Sequence, residues 1–250
     1  MKITIFTIFP KMFDGLLTNS IIKRAIAKKV VDIKIVNIRD YTLDKYHRVD
    51  SAPISGGAGL IMKCQPIVDA LKKNAKNSYI ILTSARGNKY DENKAKALAK
   101  LDDISIVCGH YEGIDERVNK YVDELISIGD YILTGGEIAA MAMVDSIVRL
   151  LKGAISIDSL TDESFNDGAL EYPQYTEPYD FNGMKVPEIL YSGNHTAIKK
   201  FNRKEQLRIT KKYRPDLFNK LTLSKLDKAL LKEIENNEIG NWEKEALKKE

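Results

Sequence analysis

Cysteine, long apolar runs and phosphate-binding motifs are scarce or absent in this sequence. Its two cysteines, Cys64 and Cys108, could form at most one disulfide, which a chain of 250 residues does not need. The apolar segment near the start ends after seven residues at Pro10, and no later run approaches the length of a membrane span. These absences predict a protein of the reducing cytoplasm that is neither exported nor inserted into a membrane.

The known nucleotide-phosphate motifs are missing as well. The segment "GGAGLIM" (56–62) comes closest to a dinucleotide fingerprint, but it lacks the third glycine and follows "SAPIS" rather than a strand. No P-loop with Gly-Lys-Ser or Gly-Lys-Thr occurs. The glycine-rich loops of this chain therefore predict something other than a phosphate cradle.

Charge is nearly balanced over the whole chain but not along it. Lys and Arg number 39 against 35 Asp and Glu, so the net charge of +4 decides nothing about partners. Between residues 199 and 214, however, eight basic residues accompany one acidic residue, and two aromatic side chains interleave with them. Such a run is usually a solvated helix face, but this one exceeds the charge of the whole chain and suits phosphate contacts. The predicted nucleic acid contacts are Lys199, Lys200, Arg203, Arg208, Lys212 and Arg214.

Apolar periodicity alternates between strand and helix over the first 150 residues. This alternation predicts an α/β fold with a mostly parallel sheet and helices on both faces. The predicted strands are 3–9, 30–38, 79–83, 104–108 and 124–128, and the predicted helices are 12–28, 65–74, 91–101 and 137–151.

The pattern changes after Gly153 to an acidic, aromatic stretch without a sustained period. We therefore predict a first domain at 1–153, a linker at 154–171 and a small helical domain at 172–250. Within the last, a helix is predicted at 196–213, followed by an apolar stripe with a capping box at Ser224 and Asp227. The stripe consists of Leu223, Leu226, Leu230 and Ile234.

Two glycine-rich loops follow predicted strands, "VCGHYEGIDERV" (107–118) and "SIGDYILTGGE" (127–137). Glycine after a strand permits a sharp turn or a close approach of backbone to a ligand. Adenosine without phosphates requires backbone donors and acceptors for its edge and apolar walls for its faces. The two loops supply these features.

These loops, with "SGGAGLIMKCQPI", "VPEILYSGNHTAI" and "LRITKKYRPDL", closely resemble the bacterial tRNA (guanine-N(1)-)-methyltransferases of the SPOUT class. The resemblance extends over nearly the whole chain. It implies a sheet tied in a deep trefoil knot and methyl transfer from S-adenosylmethionine to ring nitrogen 1 of the guanosine at tRNA position 37. It also implies a homodimer with an active site shared between subunits, and a requirement for Mg²⁺.

The resemblance also implies roles for particular residues. Arg149 would stabilise charge on the guanine oxygen, and His110 would contact tRNA. The cofactor would be held by Gly109, Tyr111, Glu112, Ile128, Gly129, Asp130, Tyr131, Ile132, Leu133, Gly135 and Gly136.

The general base is less determined, because the sequence departs from the family at this point. The family has an aspartate directly before a Ser-Phe pair, whereas here Glu163 precedes Ser164-Phe165 and Asp162 stands one position earlier. Either carboxylate could take the proton, and position favours Glu163. Two other interpretations remain open: a SPOUT methyltransferase with another RNA target, and a catalytically silent RNA-binding homologue, which the change at Glu163 would favour.

Overall fold

The computed structural model describes residues 1–54, 56–156 and 163–248. They form two compact units, Met1–Ile157 and Asp158–Glu250. The division falls inside the stretch that the sequence predicts as a linker. Among the described residues, no helix is long and apolar enough to cross a membrane.

The N-terminal unit is organised around five parallel strands. These strands are β1 (Lys2–Thr7), β2 (Asp32–Asn37), β5 (Tyr79–Lys89), β6 (Asp103–Val107) and β7 (Glu124–Ser127), and a separate short antiparallel pair consists of β3 (Asp50–Ser51) and β4 (Ile61–Met62). In the parallel sheet the strands lie in the order β2-β1-β6-β5-β7, and each connection crosses from one end of the sheet to the other.

Helices cover both faces of this sheet. Neighbouring strand residues such as Ile5 and Phe6 belong to different apolar clusters, because successive side chains of a strand point to opposite faces. One cluster includes Met143 of the helix at Glu137–Val148, and the other includes Ile67 of the helix at Cys64–Asn74. The predicted α/β fold with a parallel sheet is therefore confirmed. The helices are α1 (Asp14–Thr18), α2 (Ser20–Ala27), α3 (Cys64–Asn74), α4 (Glu92–Leu98) and α5 (Glu137–Val148).

The single helix predicted at 12–28 is broken in the structure. A 3₁₀ turn at Pro10–Phe13 leads into α1, and the chain then turns at Ser20, whose φ is 53°. Two side chains just before the break bond to the backbone: Thr18 Oγ1 donates to the Asp14 carbonyl at 2.7 Å, and Asn19 Nδ2 donates to the Gly15 carbonyl at 2.9 Å. Such local bonds compete with helix continuation.

Strand β5 is longer than predicted and irregular. Its pairing with β7 shifts between Thr83 and Asn88, both of which lie opposite Ile126. The extra residues leave the sheet and return to it, a bulge of the kind that redirects side chains at functional edges. Residues 84–86 consequently line a cleft at the ends of the strands.

The C-terminal unit is helical around a small core of Leu207, Leu230 and Leu231. The predicted helix at 196–213 and the capping box of Ser224 and Asp227 are confirmed. The predicted apolar stripe is wrong at Leu226, which is 43% exposed. Asp227 and Leu231 are buried on this helix instead. The elements are the hairpin β8 (Asp180–Phe181) and β9 (Met184–Lys185), then α6 (His195–Tyr213), α7 (Pro215–Phe218), α8 (Lys225–Glu235) and α9 (Asn241–Leu247).

Candidate functional site

A cleft of about 1590 Å³ opens where β5, β6 and β7 end. Ligands of open α/β sheets bind outside the carboxyl ends of the strands. The lining comes from the segments that follow these strands, chiefly 82–86, 109–117 and 131–136, and from the β3–β4 hairpin. The position of the cleft is therefore a consequence of the sheet topology.

The two glycine-rich loops are bonded to each other at the base of this cleft. The Gly136 amide donates to the Gly109 carbonyl at 2.7 Å, and His110 pairs with Gly135 in an antiparallel bridge. Thr83 Oγ1 donates to the Val107 carbonyl at 3.0 Å, which links β5, just before its bulge, to the end of β6. The loops therefore form one backbone assembly.

Gly136 is the tightest point of that assembly. A Cβ at this position would meet Thr83 Oγ1, the Gly109 amide nitrogen at 2.9 Å and Cys108 Cα at 3.0 Å. Two of these neighbours belong to the backbone and cannot move aside as a flexible side chain could. Only glycine allows the two loops to approach this closely.

All the residues predicted to hold the cofactor line the cleft except Asp130. Asp130 is exposed at the tip of the second loop. Its neighbours Tyr131 and Ile132 are 55% and 84% exposed, so apolar surface at the cleft is open to a ligand. Apolar walls beside backbone amides and carbonyls suit a nucleoside with little charge.

The β3–β4 hairpin forms a second wall that was missing from the predicted site residues. The Glu112 amide donates to the Leu60 carbonyl at 3.0 Å, and the Met62 amide donates to the Gly113 carbonyl at 2.9 Å. Burial and a hydrogen bond with Asp50 raise the pKa of the Tyr111 hydroxyl, although Arg39 beside it opposes the shift. The available sequence signal was "SGGAGLIMKCQPI", which carries the resemblance but has no periodicity of its own.

A buried acid lies directly behind the cleft. Glu137 in the first turn of α5 is 1% exposed, and Thr7 Oγ1 donates to its Oε1 at 2.8 Å. Its Oε2 lies 3.7 Å from His110 Nδ1. Burial, and to a lesser extent Glu137, raise the pKa of the Cys108 thiol well above its usual range, so this cysteine is a neutral core residue and not a nucleophile.

Arg149 is not among the residues that line the cleft. It caps the far end of α5, twelve residues beyond Glu137, which corresponds to roughly 18 Å along a helix axis. Within the N-terminal unit alone, the guanidinium is therefore not brought to the two glycine-rich loops.

Glu163 belongs to a compact turn of the C-terminal unit. Its carbonyl accepts from the Asn166 amide at 3.3 Å, and the Phe165 amide donates to the Ala169 carbonyl at 2.7 Å. The turn is anchored to α6, because the Leu170 amide donates to Thr210 Oγ1 at 2.9 Å. The part of the predicted linker that carries Glu163 is thus folded onto this unit.

Phe165 in this turn has an unusual backbone conformation. Its φ is 71°, a region that bulky side chains rarely occupy, yet its ring is 42% exposed. The guanidinium of Arg214 lies over the ring, 5.9 Å from its centroid. A strained residue close to a carboxylate is typical of functional turns.

The other predicted base, Asp162, lies outside the described residues. Among the described residues, no three His, Cys, Asp or Glu side chains cluster in a way that could hold a metal ion. The requirement for Mg²⁺ therefore stays a prediction from the resemblance.

The basic helix α6 uses several of its cations within the unit. Arg203 donates to Asp227 at 2.8 Å and to Asp167 at 2.7 Å. Lys204 is buried and lies 2.9 Å from Glu233. The net charge of the segment in the sequence therefore overstates what it presents to a partner.

The predicted tRNA contacts divide accordingly. Arg208 pairs with Glu205 on its own helix, and Arg214 pairs with Asp216. Lys200 lies over the Trp242 ring, and Lys212 lies over the Tyr213 ring. Lys199 and Lys212 are exposed and have no acidic partner in the described part of the chain.

Comparison with known proteins gives one consistent result. The model of the tRNA (Guanine-1)-methyltransferase TrmD family matches residues 1–220. A tRNA (guanine-N(1)-)-methyltransferase of Clostridium perfringens is 52% identical over 235 residues, covering 93% of this chain and 99% of the relative. The enzymes of that name from Clostridium acetobutylicum and Clostridium botulinum are each 50% identical, covering 94% of this chain and 98% of the relative.

The matched region includes the parallel sheet, both glycine-rich loops, the turn with Glu163 and helix α6. From the backbone assembly at the cleft and from these matches, we conclude that the chain belongs to the tRNA (guanine-1)-methyltransferase family.

Proposed function

We propose that this protein transfers a methyl group from S-adenosylmethionine to ring nitrogen 1 of the guanosine at position 37 of tRNA. The single observation that carries the proposal is the family match over 220 residues, since the relatives are named for this reaction class. The cleft at the strand ends supports the cofactor, because the two glycine-rich loops contribute backbone and apolar side chains such as Ile128 and Leu133 to a lining that elsewhere carries charged residues.

The chemistry requires both a held methyl donor and an activated nitrogen. Bound S-adenosylmethionine supplies an electrophilic methyl group on a sulfonium sulfur, which leaves as a neutral thioether. Guanine nitrogen 1 carries a proton and is a poor nucleophile until that proton is removed. A carboxylate placed within hydrogen-bond reach can act as the general base.

We assign the base to Glu163. Its carboxylate would take the proton, and the freed electron pair on nitrogen 1 could then attack the methyl group that bound S-adenosylmethionine would supply. The ordered turn around Ser164 and Phe165 supports this choice, since the Ser164 hydroxyl accepts from the Glu171 amide at 3.0 Å and fixes the backbone there. Arg149 would stabilise the charge that builds on the guanine oxygen.

We propose that the working form is a homodimer whose subunits share the active site. Arg149 lies outside the cleft of its own unit, and Glu163 belongs to the other compact unit, so a second copy offers a way to assemble both with the cofactor. Apolar side chains around a small cavity near α5 are exposed: Phe9 is 38%, Met12 46% and Ile138 50% exposed. Such a patch suits burial against another chain.

We further propose that the sheet carries the trefoil knot of the SPOUT class. The bond between Gly136 and Gly109 supports it, because the two loops must pass each other at close range. The two free cysteines are consistent with a cytoplasmic location beside tRNA.

Nucleoside mass spectrometry tests the proposed function. Unmodified tRNA carrying G37 should acquire 1-methylguanosine when incubated with the protein and cofactor, and the same tRNA with A37 should not. Methylation of a different nucleoside would identify another RNA target. Cofactor and tRNA binding without any product would favour the silent homologue.

A further inference from the structure

The buried carboxylate of Glu137 has no role in the proposed reaction. Burying an ionised carboxylate is unfavourable unless hydrogen bonds or opposite charges compensate it. Here the Thr7 hydroxyl donates to Oε1, and the first turn of α5 places the group at the positive end of the helix dipole. The structure therefore holds this acid behind the cleft by contacts from two different elements.

The second oxygen of the carboxylate faces His110. Its Oε2 lies 3.7 Å from Nδ1 of the imidazole, and this Nδ1 is buried with no hydrogen-bond partner in the described residues. A Cβ at Gly135 would meet both Glu137 Oε2 and His110 Nδ1. Glycine at position 135 thus leaves the space in which the acid and the imidazole face each other.

The imidazole itself is confined at the edge of the cleft. The rings of Phe9 and Tyr111 stand edge-on to it, at 4.9 Å and 5.1 Å between centroids. His110 lies in the cofactor loop between two residues that line the cleft, and it lines the cleft too. In a neutral imidazole one nitrogen donates and the other accepts, and the partner of one nitrogen decides the state of the other.

We propose that Glu137 is a positioning residue: its Oε2 accepts the Nδ1 proton of His110 and fixes the neutral ring in the tautomer whose Nε2 accepts hydrogen bonds. The 3.7 Å separation requires a small approach, as hydrogen bonds of active sites often tighten only when the ligand binds. An acid behind a histidine commonly sets its tautomer in this way.

The consequence concerns the choice of base, and it rests on the proposed function. The edge of guanine that includes nitrogen 1 presents a ring N–H and an amino group, which are donors. Nitrogen 1 of adenine is an acceptor instead. An imidazole held as an acceptor and facing nitrogen 1 or the 2-amino group would favour guanine, since adenine has its only donor on this edge at the 6-amino group.

Histidine ¹⁵N spectra of the full-length protein test the tautomer directly, at a pH at which the imidazoles are neutral. The chain has only three histidines, so His110→Gln suffices to assign the signal. His47 is an internal reference, because the contacts of its Nδ1, the Arg39 carbonyl at 3.2 Å and Thr42 Oγ1 at 3.3 Å, do not involve Glu137. We expect His110 in the wild type to carry its proton on Nδ1.

Glu137→Gln is the sharpest variant because it keeps the shape of the side chain. If its amide oxygen keeps the Thr7 bond, its NH₂ group faces His110 Nδ1, and the proton of the ring must move to Nε2. We expect the His110 signal to invert while that of His47 does not change. A wild-type His110 protonated on Nε2 would overturn the proposal, and this measurement stands even where the variant fails to fold.

Steady-state kinetics can distinguish a positioning role of Glu137 from a merely structural one. In Glu137→Gln, kcat/KM for tRNA should fall roughly 10-fold, the lower range for losing the partner of a functional histidine, while cofactor Kd stays within about twofold. In a His110→Ala background the same change should have almost no further effect. Additive losses in the double variant, or an equal loss of cofactor binding, would contradict the proposal. A wild type that makes no 1-methylguanosine would instead refute the proposed function and leave the tautomer result intact.

Discussion

Two glycine-rich loops contribute backbone amides and carbonyls to the cleft of the N-terminal unit, whereas the C-terminal unit carries a strongly basic segment at 199–214. The first unit has two large apolar clusters, one on each face of the sheet. The second has a core of three buried leucines with a ring of partly buried neighbours. The two units therefore hold their functional groups in place by different means.

The difference has a physical basis in what each unit would bind. A cofactor loop must present amides and carbonyls at fixed positions, and close backbone packing at Gly136 fixes them without side-chain entropy to lose. A phosphate-binding surface requires cations, and long side chains are ordered here by ion pairs such as Arg203 with Asp227. Some of the cations therefore form ion pairs within the C-terminal unit and stabilise it, so they are not available to a partner.

The largest expected effect concerns Glu163 of the C-terminal unit, which we propose as the general base of the methyl transfer. Glu163→Gln should lower the single-turnover methylation rate by about 10² to 10⁴, the usual contribution of a positioned general base, with cofactor affinity nearly unchanged. Quenched-flow assays with saturating cofactor measure this rate. Asp162→Asn is the matched control and should cost much less. Near-full activity in Glu163→Gln together with a loss in Asp162→Asn would move the base to Asp162.

Gly136→Ala tests the backbone origin of the cleft. The added Cβ would press on the Gly109 amide nitrogen, and overpacking of this kind costs about 1–3 kcal/mol, so cofactor Kd should rise roughly 10- to 100-fold. Calorimetric titration with S-adenosylmethionine measures the change. Gly15→Ala is the control, because nothing lies within 4 Å of a Cβ there. Cofactor binding unaffected by Gly136→Ala would show that the loops tolerate a wider separation.

The N-terminal unit shows which features can be predicted from the sequence and which cannot. The alternation of strands and helices, the sheet class and the position of the glycine-rich loops can be predicted, because apolar period and glycine position are local signals. The break at Ser20 and the bulge in β5 are not, since they depend on side-chain bonds and on the pairing of distant strands. The wall formed by the β3–β4 hairpin likewise depends on contacts across the fold.

In the basic helix α6, the sequence does not show which cations are available to a partner. A count of Lys and Arg cannot distinguish Arg203, which is held by two acids, from Lys199, which is exposed. The acids that hold Arg203 lie 36 and 24 residues away in the sequence. Only the packing of α6 against α8 and the Glu163 turn reveals them, so the predicted tRNA-binding set mixes structural and available cations.

Arg203→Ala tests this distinction. It leaves Asp227 nearly buried without its main partner, which should destabilise the C-terminal unit by about 2–3 kcal/mol, below the range for a fully buried pair because Arg203 is 23% exposed. Chemical denaturation of the full chain measures this. Arg208→Ala removes a pair within one helix whose arginine is exposed, and it should cost less than about 0.5 kcal/mol. Equal stabilities of the two variants would mean that the Arg203 pairs add nothing.

The ion pair of Arg203 and Asp227 should also make the free energy of unfolding depend on pH. Burial raises the pKa of Asp227, but the hydrogen bonds from Arg203 and Ser224 outweigh it, so the net shift is downward. A lowered carboxyl pKa contributes stability above the pKa of the unfolded state, and this contribution is lost as pH falls through the folded-state pKa. Below about pH 4 the gap in unfolding free energy between the wild type and Arg203→Ala should therefore narrow. A gap that stays constant down to about pH 2 would contradict the assignment.

The smallest expected effect concerns the cations that remain available. Lys199→Ala with Lys212→Ala should flatten the dependence of log K on log salt for tRNA binding by roughly 0.7 to 0.9 for each phosphate that is no longer neutralised, because fewer counterions are released. Filter binding at several salt concentrations measures the slope, and the stability of the variant should match the wild type. The control pair, Lys28→Ala with Lys76→Ala, removes the same charge from exposed positions of the N-terminal unit. An equal change of slope in both pairs would mean that tRNA responds to net charge alone, and the distinction between the two surfaces would then not extend to RNA binding.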